Sequence, residues 1–414
     1  MIKKERIVKY CDRVTRFSLY GMAFYIPIST ALIESFAGLA IAAWLLKKVL
    51  SGGGVKKIFS GNVLALPVLI YLLVCFVSSV FSSSPWLSFR HLIFKTIEYA
   101  LLFFIVVDIA DRKFMRNILA VLIISVGLVG IDGIFQHFSG VDFFRGRTPV
   151  IVSRINGPFT APNDFANYIV TLLPLAASLS FVKFKKTWLV PALRIISLVL
   201  FICLVLAASR SAWVALLSVV TLFLFLNRRL AAILILLIVS TLVFISLSPA
   251  STARSRISDL FSGNKTTVFS DRPFLLETGM NMFAAAPVVG QGLGTFMFNF
   301  DKFKPVPLTD YPYEWGISYA HNCFLQIASE TGLLGLLSFL AVIIALFCSS
   351  FRRLRKTEGS DYFILSGLLA GLFTYLASSF FDTNLYSLPL AVLFWLMLGL
   401  SAAAGKIIKE SYSY

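Results

Sequence analysis

The sequence predicts an all-α polytopic membrane protein with about 12 transmembrane helices. Of its 414 residues, 58% are hydrophobic and only 14% carry a charge. The mean hydropathy is +0.85, a value that soluble globular domains do not approach. Apolar segments of roughly 20 residues, the length that a helix needs to cross the hydrocarbon core of a bilayer, recur along the chain.

Short connections join most of the twelve predicted spans, and the first two meet tightly around Glu34. They lie at 17–33, 34–50, 63–81, 92–110, 118–138, 163–182, 189–208, 211–226, 230–248, 322–350, 362–381 and 387–405. We therefore expect one integral membrane domain in three parts. Residues 1–248 hold helices 1–9, residues 249–320 form a long loop, and residues 321–414 hold helices 10–12.

Lys and Arg residues predict the orientation, because short cytoplasmic loops carry an excess of them. The loops on one side hold 24 Lys and Arg residues, whereas the short loops on the other side hold 5. The richer side includes both termini, so both are predicted to be cytoplasmic and the long loop to be periplasmic. The formal charge of +17 lies in short clusters rather than on one basic face, which argues against nucleic acid as a partner.

The long loop between helices 9 and 10 is predicted to contain a short amphipathic helix. Ser270 would cap a helix that runs from Asp271 to Ala285, with Phe274, Met280 and Phe283 on its apolar face. Such a helix would lie on the membrane surface or over a site. The glycines of VVGQGLGTF then form a turn, since no strand precedes them as a dinucleotide fingerprint requires.

Two arginines on the predicted external side each fit two interpretations. Arg210, in the tight turn AASRSAW, is either a solvated interfacial side chain or a clamp for an anion, because a planar guanidinium can bind two phosphate oxygens at once. Arg272, in FSDRPFLLE, stands at a helix start that already favours an anion. Its alternative is an ion pair with Asp271 or Glu277.

The loop before the sixth span, FRGRTPVIVSRINGPFTAPNDFANYIV, supplies three further arginines. Arg145, Arg147 and Arg154 run against the positive-inside tendency, so at least one of them is expected to meet a negative ligand. Asn163 resembles the N-cap of the sixth span. Near the fourth span, Arg90 lies just outside and Lys95 one turn inside, where Lys95 either binds substrate or extends to the interface.

Polar residues also flank the tenth span. His321 at its start is either a satisfied interfacial side chain or a catalytic base, and Asn322 beside it can cap the helix. Glu330 lies about 13 Å along the axis on the opposite face, so it is expected to bond a neighbouring helix rather than His321. Asp382, at the end of the eleventh span, would either cap that helix or orient a basic partner.

No metal site or cofactor is predicted. The three histidines, His91, His137 and His321, show no metal-ligand spacing, and the five cysteines form no cluster.

Four segments, in this order and spacing, resemble the O-antigen ligase family: GPFTAPNDFANYIVTLLP, AASRSAW, DRPFLLETGMNMFAAAPVVGQGLGTF and AHNCFLQIASETGLLG. The last segment matches the family pattern of His, then Asn, Ser or Gln, nine residues, then Gly, here His321, Asn322 and Gly332. One departure is that Leu334 and Gly335 replace a Thr pair that often follows in ligases. The same domain occurs in O-antigen polymerases and protein O-oligosaccharyltransferases, and all three activities stay open.

The resemblance implies a multi-pass glycosyltransferase of the bacterial inner membrane with a periplasmic active site. It would use a glycan on undecaprenyl diphosphate as donor and, for a ligase, lipid A-core as acceptor. His321 matches the catalytic histidine of the family, Arg210 and Arg272 match arginines needed for activity, and Asp382 is a weaker match.

This chemistry suits the residues. Imidazole is the side chain best able to take a proton from an acceptor hydroxyl at neutral pH, and Arg210 and Arg272 would stabilise the leaving diphosphate. The sequence contains no Asp-x-Asp triplet, so a metal-independent, inverting displacement is expected. Seven further residues are predicted to bind the diphosphate or substrate: Arg154, Arg147, Lys95, Arg90, Asn163, Asn322 and Asp382.

A secondary transporter is the alternative from a different class, since twelve spans with both termini inside is also a transporter plan. Transporters place binding groups near the midplane in broken helices and are built from repeats. The polar residues of this chain gather instead at one surface beside the long loop, and its halves show no repeat, which favours the enzyme.

Overall fold

The computed structural model of the chain describes residues 2–52, 62–151, 154–226, 272–305 and 319–411, with four isolated positions between 227 and 271. These residues form helices, and no strand occurs among them. The helices are α1 (Ile2–Tyr25), α2 (Thr30–Ser51), α3 (Ala65–Val80), α4 (Pro85–His91), α5 (Glu98–Ile109), α6 (Arg112–Ser139), α7 (Pro162–Leu179), α8 (Leu189–Ala207), α9 (Arg210–Leu226), α10 (Arg272–Ala285), α11 (Phe296–Phe303), α12 (Cys323–Leu354), α13 (Gly359–Ser378) and α14 (Leu388–Ser411). A π-helical turn at Leu92–Ile97 joins α4 to α5, and a 3-10 turn at Asn384–Tyr386 precedes α14.

The predicted polytopic α-helical membrane class is confirmed. In the described part of the chain, six helices are long and apolar enough to cross a membrane, namely α2, α6, α8, α12, α13 and α14. Helix α3 and the first thirteen residues of α9 are shorter apolar helices. The count of twelve spans and the orientation stay predictions, and the ninth predicted span, 230–248, lies almost wholly outside the described residues.

The predicted boundary between the first two spans is wrong. The chain turns at Ile26–Ser29 rather than at Glu34, which lies inside α2. Pro27 ends α1, because the residue before a proline is disfavoured in the helical conformation. Ser29 then caps α2, and its side chain accepts a hydrogen bond from the Leu32 amide at 3.4 Å.

Two helices form the centre of the bundle. Every residue of α7 from Phe165 to Leu179 is buried, and α7 packs against α8 and α13. In the most apolar stretch of α14, 83% of the residues are buried, and this helix packs against α5 and α13. Polar residues at the start of α7 therefore face the protein interior rather than lipid.

Helix α12 is broken at Gly332, whereas the sequence predicts one continuous span. Gly332 has φ 68° and ψ −172°, a combination that only glycine adopts readily. The freed backbone groups are satisfied by the segment before α11, because Leu333 donates to the Pro287 carbonyl at 2.8 Å and Gln291 donates to the Ser329 carbonyl at 3.0 Å. A Cβ on Gly332 would stand 2.2 Å from the Val288 carbonyl oxygen, so this close approach also requires glycine.

Helix α10 occupies the place of the helix predicted in the long loop, although the predicted cap Ser270 and first residue Asp271 lie outside the described residues. The predicted apolar face is partly wrong. Leu275 and Met282 are fully buried, whereas Met280 is 54% exposed. Leu275 and Met282 form a separate small core with Phe296 and Phe300 of α11 and with Ala320, so α10 packs onto its own loop and the start of α12.

Candidate functional site

The carboxylate of Asp382 is the centre of a buried polar cluster at one end of the bundle. It follows α13, and its side chain is 8% exposed. Its Oδ1 lies 3.5 Å from Arg272 Nη2 and 3.6 Å from His321 Nδ1. Asn163 donates to Oδ1 at 3.3 Å, and Ser211 donates to Oδ2 at 2.6 Å. One carboxylate thus joins side chains from α7, α9, α10 and the residues before α12.

His321 stands immediately before the short first part of α12 in a strained conformation. Its φ is 51°, and the left-handed region costs a non-glycine residue about 1 to 2 kcal/mol. Asn322 follows as the N-cap, and its side-chain oxygen accepts hydrogen bonds from the Phe324 and Leu325 amides at 2.9 Å each. Asn322 therefore caps the helix, and the imidazole of His321, 27% exposed, is directed to Asp382.

Arg272 is the first residue of α10 and faces the same carboxylate. Its side chain is 24% exposed, so the guanidinium contacts Asp382 and is also partly accessible from outside the cluster. The expected alternative partner Glu277 is not the one observed. Asp382 therefore orients basic partners, which was one of the two roles that the sequence left open.

Arg154 joins the cluster through Asn163. The buried guanidinium donates to Asn163 Oδ1 at 2.8 Å and to the Ala207 carbonyl at 2.7 Å. The predicted capping role of Asn163 is wrong: Ala161 is the N-cap of α7, and Pro162 occupies the first helical position, where its missing N–H costs nothing. The Asn163 side chain is therefore free to bridge Arg154 and Asp382.

Arg210 lies between two cluster residues. Ser209 and Ser211, on either side of it, have their hydroxyls 3.0 Å apart, and Ser209 also donates to Asn163 Oδ1 at 3.3 Å. Ala208 before them has φ 48° and ends α8, so the chain reverses within two residues and α9 begins at Arg210 itself. The tight turn places half-buried Arg210 at the edge of the cluster.

We use the name Asp382 cluster for one set of residues. It comprises Arg154, Asn163, Asn167, Ser209, Ser211, Arg272, His321 and Asp382. Of the predicted site residues, it brings together His321, Arg272, Arg154, Asn163 and Asp382, with Arg210 and Asn322 adjacent in sequence.

The other predicted basic residues lie elsewhere in the described structure. Arg145 donates through Nε to the Ile28 carbonyl at 2.8 Å, so it ties its loop to the turn between α1 and α2. Arg147 is exposed, and its backbone amide donates to Asp142 at 2.7 Å. Arg90 and Lys95 line a separate cavity of about 730 Å³. In it, Lys95 lies 3.3 Å from Glu34.

A family model described as O-antigen ligase matches residues 195–340. This part of the chain is therefore similar to the O-antigen ligase family. The matched residues include Arg210, Arg272 and His321, whereas Arg154 and Asp382 lie outside them and meet them only in the folded chain. None of the curated proteins compared with the chain matches it.

Glu330 fixes the long loop of this O-antigen ligase domain to the broken helix. Its carboxylate accepts hydrogen bonds from the Gly294 amide at 2.8 Å, the Gln326 side chain at 2.9 Å and the Tyr386 hydroxyl at 2.9 Å, and from the Phe296 amide at 3.2 Å. The bonds from Phe296, the first residue of α11, and from Tyr386 in the 3-10 turn agree with the expected bond to a neighbouring helix. The Gly294 amide adds a loop partner, so Glu330 also holds the segment that follows α10.

Asn167, Ser209 and Ser211 were not among the residues predicted for the site. Asn167 donates to Asp382 Oδ2 at 3.4 Å and to Asn384 at 2.8 Å. A signal was present, because Asn167 follows Asn163 by four residues and therefore lies on the same face of α7. The serines of AASRSAW carried no such signal, since small polar residues are common in turns.

The arrangement combines an imidazole, a carboxylate and several guanidinium groups. The carboxylate lies at Nδ1 of His321, which leaves Nε2 to exchange a proton, and the guanidinium of Arg272 can bind an anion bidentately. Beside the cluster, burial and then the Glu330 carboxylate raise the pKa of Tyr319, so its hydroxyl stays protonated at neutral pH. The described residues contain no group of three His, Cys, Asp or Glu side chains placed to hold a metal ion.

Proposed function

We propose that the chain is a glycosyltransferase that moves a glycan from undecaprenyl diphosphate to a hydroxyl acceptor, and specifically an O-antigen ligase that attaches O-antigen to lipid A-core. The observation that carries the proposal is the contact of Asp382 with both His321 and Arg272. A proton acceptor and an anion-binding group then both contact one carboxylate, in a chain whose residues 195–340 match the O-antigen ligase family.

His321 is the base in this proposal. Asp382 lies 3.6 Å from Nδ1, so it stabilises the imidazolium that forms when Nε2 takes the proton of the acceptor hydroxyl. The strained backbone at His321 and the cap at Asn322 hold the ring at the start of α12. The ring is thus preorganised for the proton transfer.

Arg272 and Arg210 stabilise the leaving group. The acceptor oxygen forms a bond to the anomeric carbon while the bond from that carbon to the phosphate oxygen breaks, and the electron pair of the broken bond stays on undecaprenyl diphosphate. Charge therefore increases on the diphosphate, where guanidinium groups give electrostatic stabilisation. Arg154, held at the base of the cluster by Asn163 and the Ala207 carbonyl, adds a third positive charge.

The displacement inverts the anomeric centre, since one nucleophile replaces one leaving group. We propose that no metal ion takes part, because the arginines supply the positive charge. Transfer that stops in EDTA and returns on addition of Mg²⁺ would contradict this step. The lipid donor places the reaction at the membrane, and the arginine and lysine distribution favours the periplasmic face of the inner membrane.

Arg90, Lys95 and Arg147 are proposed to bind parts of the substrate away from the reacting centre. His91, next to Arg90, has its ring centroid 6.3 Å from that of Tyr386, and the Tyr386 ring lies 5.2 Å from the Tyr319 ring. Two tyrosines therefore lie between the Arg90 and Lys95 cavity and His321. This continuity supports one extended substrate site.

The test of the base uses His321→Asn, because asparagine tolerates the left-handed backbone. Transfer from the undecaprenyl diphosphate donor should fall at least 100-fold, the lower range for loss of a general base, with thermal unfolding unchanged or raised. His137→Asn, at an exposed histidine near the end of α6, is the matched control. A His321→Asn protein that keeps a tenth of wild-type transfer would contradict the assignment.

The acceptor is tested by glycan analysis of a strain that lacks the protein. Accumulation of polymeric glycan on undecaprenyl diphosphate is the result expected for a ligase. Single repeat units attached to lipid A-core would instead show a polymerase, and loss of glycan from proteins would show a protein O-oligosaccharyltransferase.

A further inference from the structure

A deep apolar cavity lies at the end of the bundle opposite the Asp382 cluster. Its volume is about 650 Å³, and it is lined by the first half of α6, by the starts of α8 and α13 and by the ends of α7 and α14. Helix α7 begins beside Asp382 and reaches this cavity only at Leu179, which is roughly 25 Å along its axis. The cavity therefore has no part in the proposed transfer.

The cavity is a wedge that closes where α6 and α8 cross. A Cβ on Gly130 would stand 2.9 Å from Val199, and Cys203 donates to the Gly130 carbonyl at 3.0 Å. From this close crossing the two helices separate toward Arg112 and Trp188, which both line the cavity. Gly130 thus allows the helices to approach closely at the crossing, and the cavity lies between them beyond that point.

The depth of the wedge matches one leaflet of a bilayer. From Arg116 to Gly127, helix α6 rises roughly 16 Å, and half of a hydrocarbon core is about 15 Å. Apart from Asn117, the wall between these points is apolar. It reaches the outer surface of the bundle, since Ile124 is 54% exposed and Trp188 is 61% exposed, and both line the cavity. An acyl chain can therefore enter sideways from the surrounding lipid.

The mouth of the wedge is positively charged. Arg112 and Arg116 of α6 line it, and three exposed lysines lie on the connection that leads to Trp188, namely Lys183, Lys185 and Lys186. The acidic residue at the mouth, Asp361, is already bound by Arg112 through two hydrogen bonds of 3.1 Å. The mouth therefore keeps an excess of positive charge at the level of lipid headgroups.

We propose that this wedge is a binding site for one anionic glycerophospholipid, with an acyl chain between α6 and α8 and its phosphate at Arg116. The apolar wall selects for a chain of leaflet length, and the basic mouth selects for a headgroup with net negative charge. By the predicted orientation this lipid belongs to the cytoplasmic leaflet, on the far side of the membrane from the donor.

The test measures quenching of Trp188 by brominated lipids in reconstituted vesicles, and Trp188→Phe identifies the Trp188 signal among the six tryptophans. Brominated phosphatidylglycerol should associate about fivefold more strongly than brominated phosphatidylcholine, the factor expected for one basic residue near a charged headgroup. Arg116→Gln should bring that ratio close to one. Lys113→Gln, an exposed neighbour on α6 that does not line the cavity, should leave it unchanged.

A second variant tests the wedge itself without changing charge. Ala120→Phe fills the cavity from its α6 wall and should reduce the Trp188 quenching by brominated phosphatidylglycerol at least threefold. Equal quenching by the two lipids in the wild-type protein, or an equal effect of Arg116→Gln and Lys113→Gln, would overturn the proposal. In the second case the surface charge of the whole end, rather than this site, would attract the lipid.

Discussion

Replacing Asp382 with asparagine removes one charge and keeps the shape of the side chain. The carboxylate is 8% exposed and lies 3.6 Å from His321 Nδ1. At an effective dielectric constant of about 20, two unit charges at this distance interact by roughly 4 to 5 kcal/mol. Because His321 is 27% exposed, solvent screening lowers this to about 2 to 3 kcal/mol.

In the wild-type enzyme this interaction stabilises the transition state, in which the imidazole becomes charged, and Asp382→Asn loses that stabilisation. Since about 1.4 kcal/mol corresponds to tenfold in rate, kcat should fall roughly 30- to 150-fold in Asp382→Asn. The KM for the donor should not rise, because Arg272, 3.5 Å from Asp382 in the wild-type protein, no longer shares its charge with the carboxylate. The split between kcat and KM distinguishes this role from a general loss of folding.

The assay is transfer from the purified undecaprenyl diphosphate donor to lipid A-core in detergent or vesicles, followed by gel mobility. Asp361→Asn is the matched control, since it makes the same change at the opposite end of the bundle, where Asp361 pairs with Arg112. Its kcat should stay within twofold of the wild-type value. A kcat within threefold of wild type for Asp382→Asn, or a raised KM with unchanged kcat, would refute the reasoning.

Three further variants concern the long loop and the cavity lined by Arg90 and Lys95. Gly332→Ala should lower the free energy of unfolding by at least about 2 kcal/mol, since glycine alone readily adopts φ 68° with ψ −172°. The control Gly38→Ala should not lower it, because nothing lies within 4 Å of the new Cβ. Equal thermal unfolding of the two variants would contradict this prediction. Glu330→Gln should lower the free energy of unfolding by about 1 to 3 kcal/mol, because an amide cannot accept all four hydrogen bonds that the carboxylate accepts. Urea unfolding measures this loss, and a value below about 0.5 kcal/mol would contradict the role of Glu330 in holding the loop. Lys95→Gln should raise the KM for the donor and leave kcat within twofold, measured by the same transfer assay, and an unchanged KM would remove Lys95 from the substrate site.

Much of the fold could be predicted because it follows from the length of apolar segments. The segments at 118–138 and 189–208 match α6 and α8 closely, since a bilayer sets the length of a spanning helix. The predicted boundary at Glu34 was wrong because Pro27, seven residues earlier, is the stronger local signal for the end of a helix. The charge of Glu34 is satisfied in the fold by Lys95 at 3.3 Å, which no local rule could show.

The candidate site was predictable in its residue types but not in its arrangement. His321, Arg272 and Asp382 stand out as polar groups at the ends of apolar segments, yet their meeting depends on how α10, α12 and α13 pack. The break at Gly332 was hidden as well, because a single glycine in an apolar run is tolerated in membrane helices. The partner of this break, the segment from Pro287 to Gly294, is distant in sequence and pairs with it through backbone groups and the Glu330 carboxylate.

The most direct test of the central claim is an experimental structure of the protein with undecaprenyl diphosphate bound. We expect diphosphate oxygens within hydrogen-bond distance of the guanidinium groups of Arg272 and Arg210, with Nε2 of His321 facing the position of the anomeric carbon. A diphosphate bound in another cavity, with Arg272 still paired to Asp382 and His321 out of reach, would contradict it.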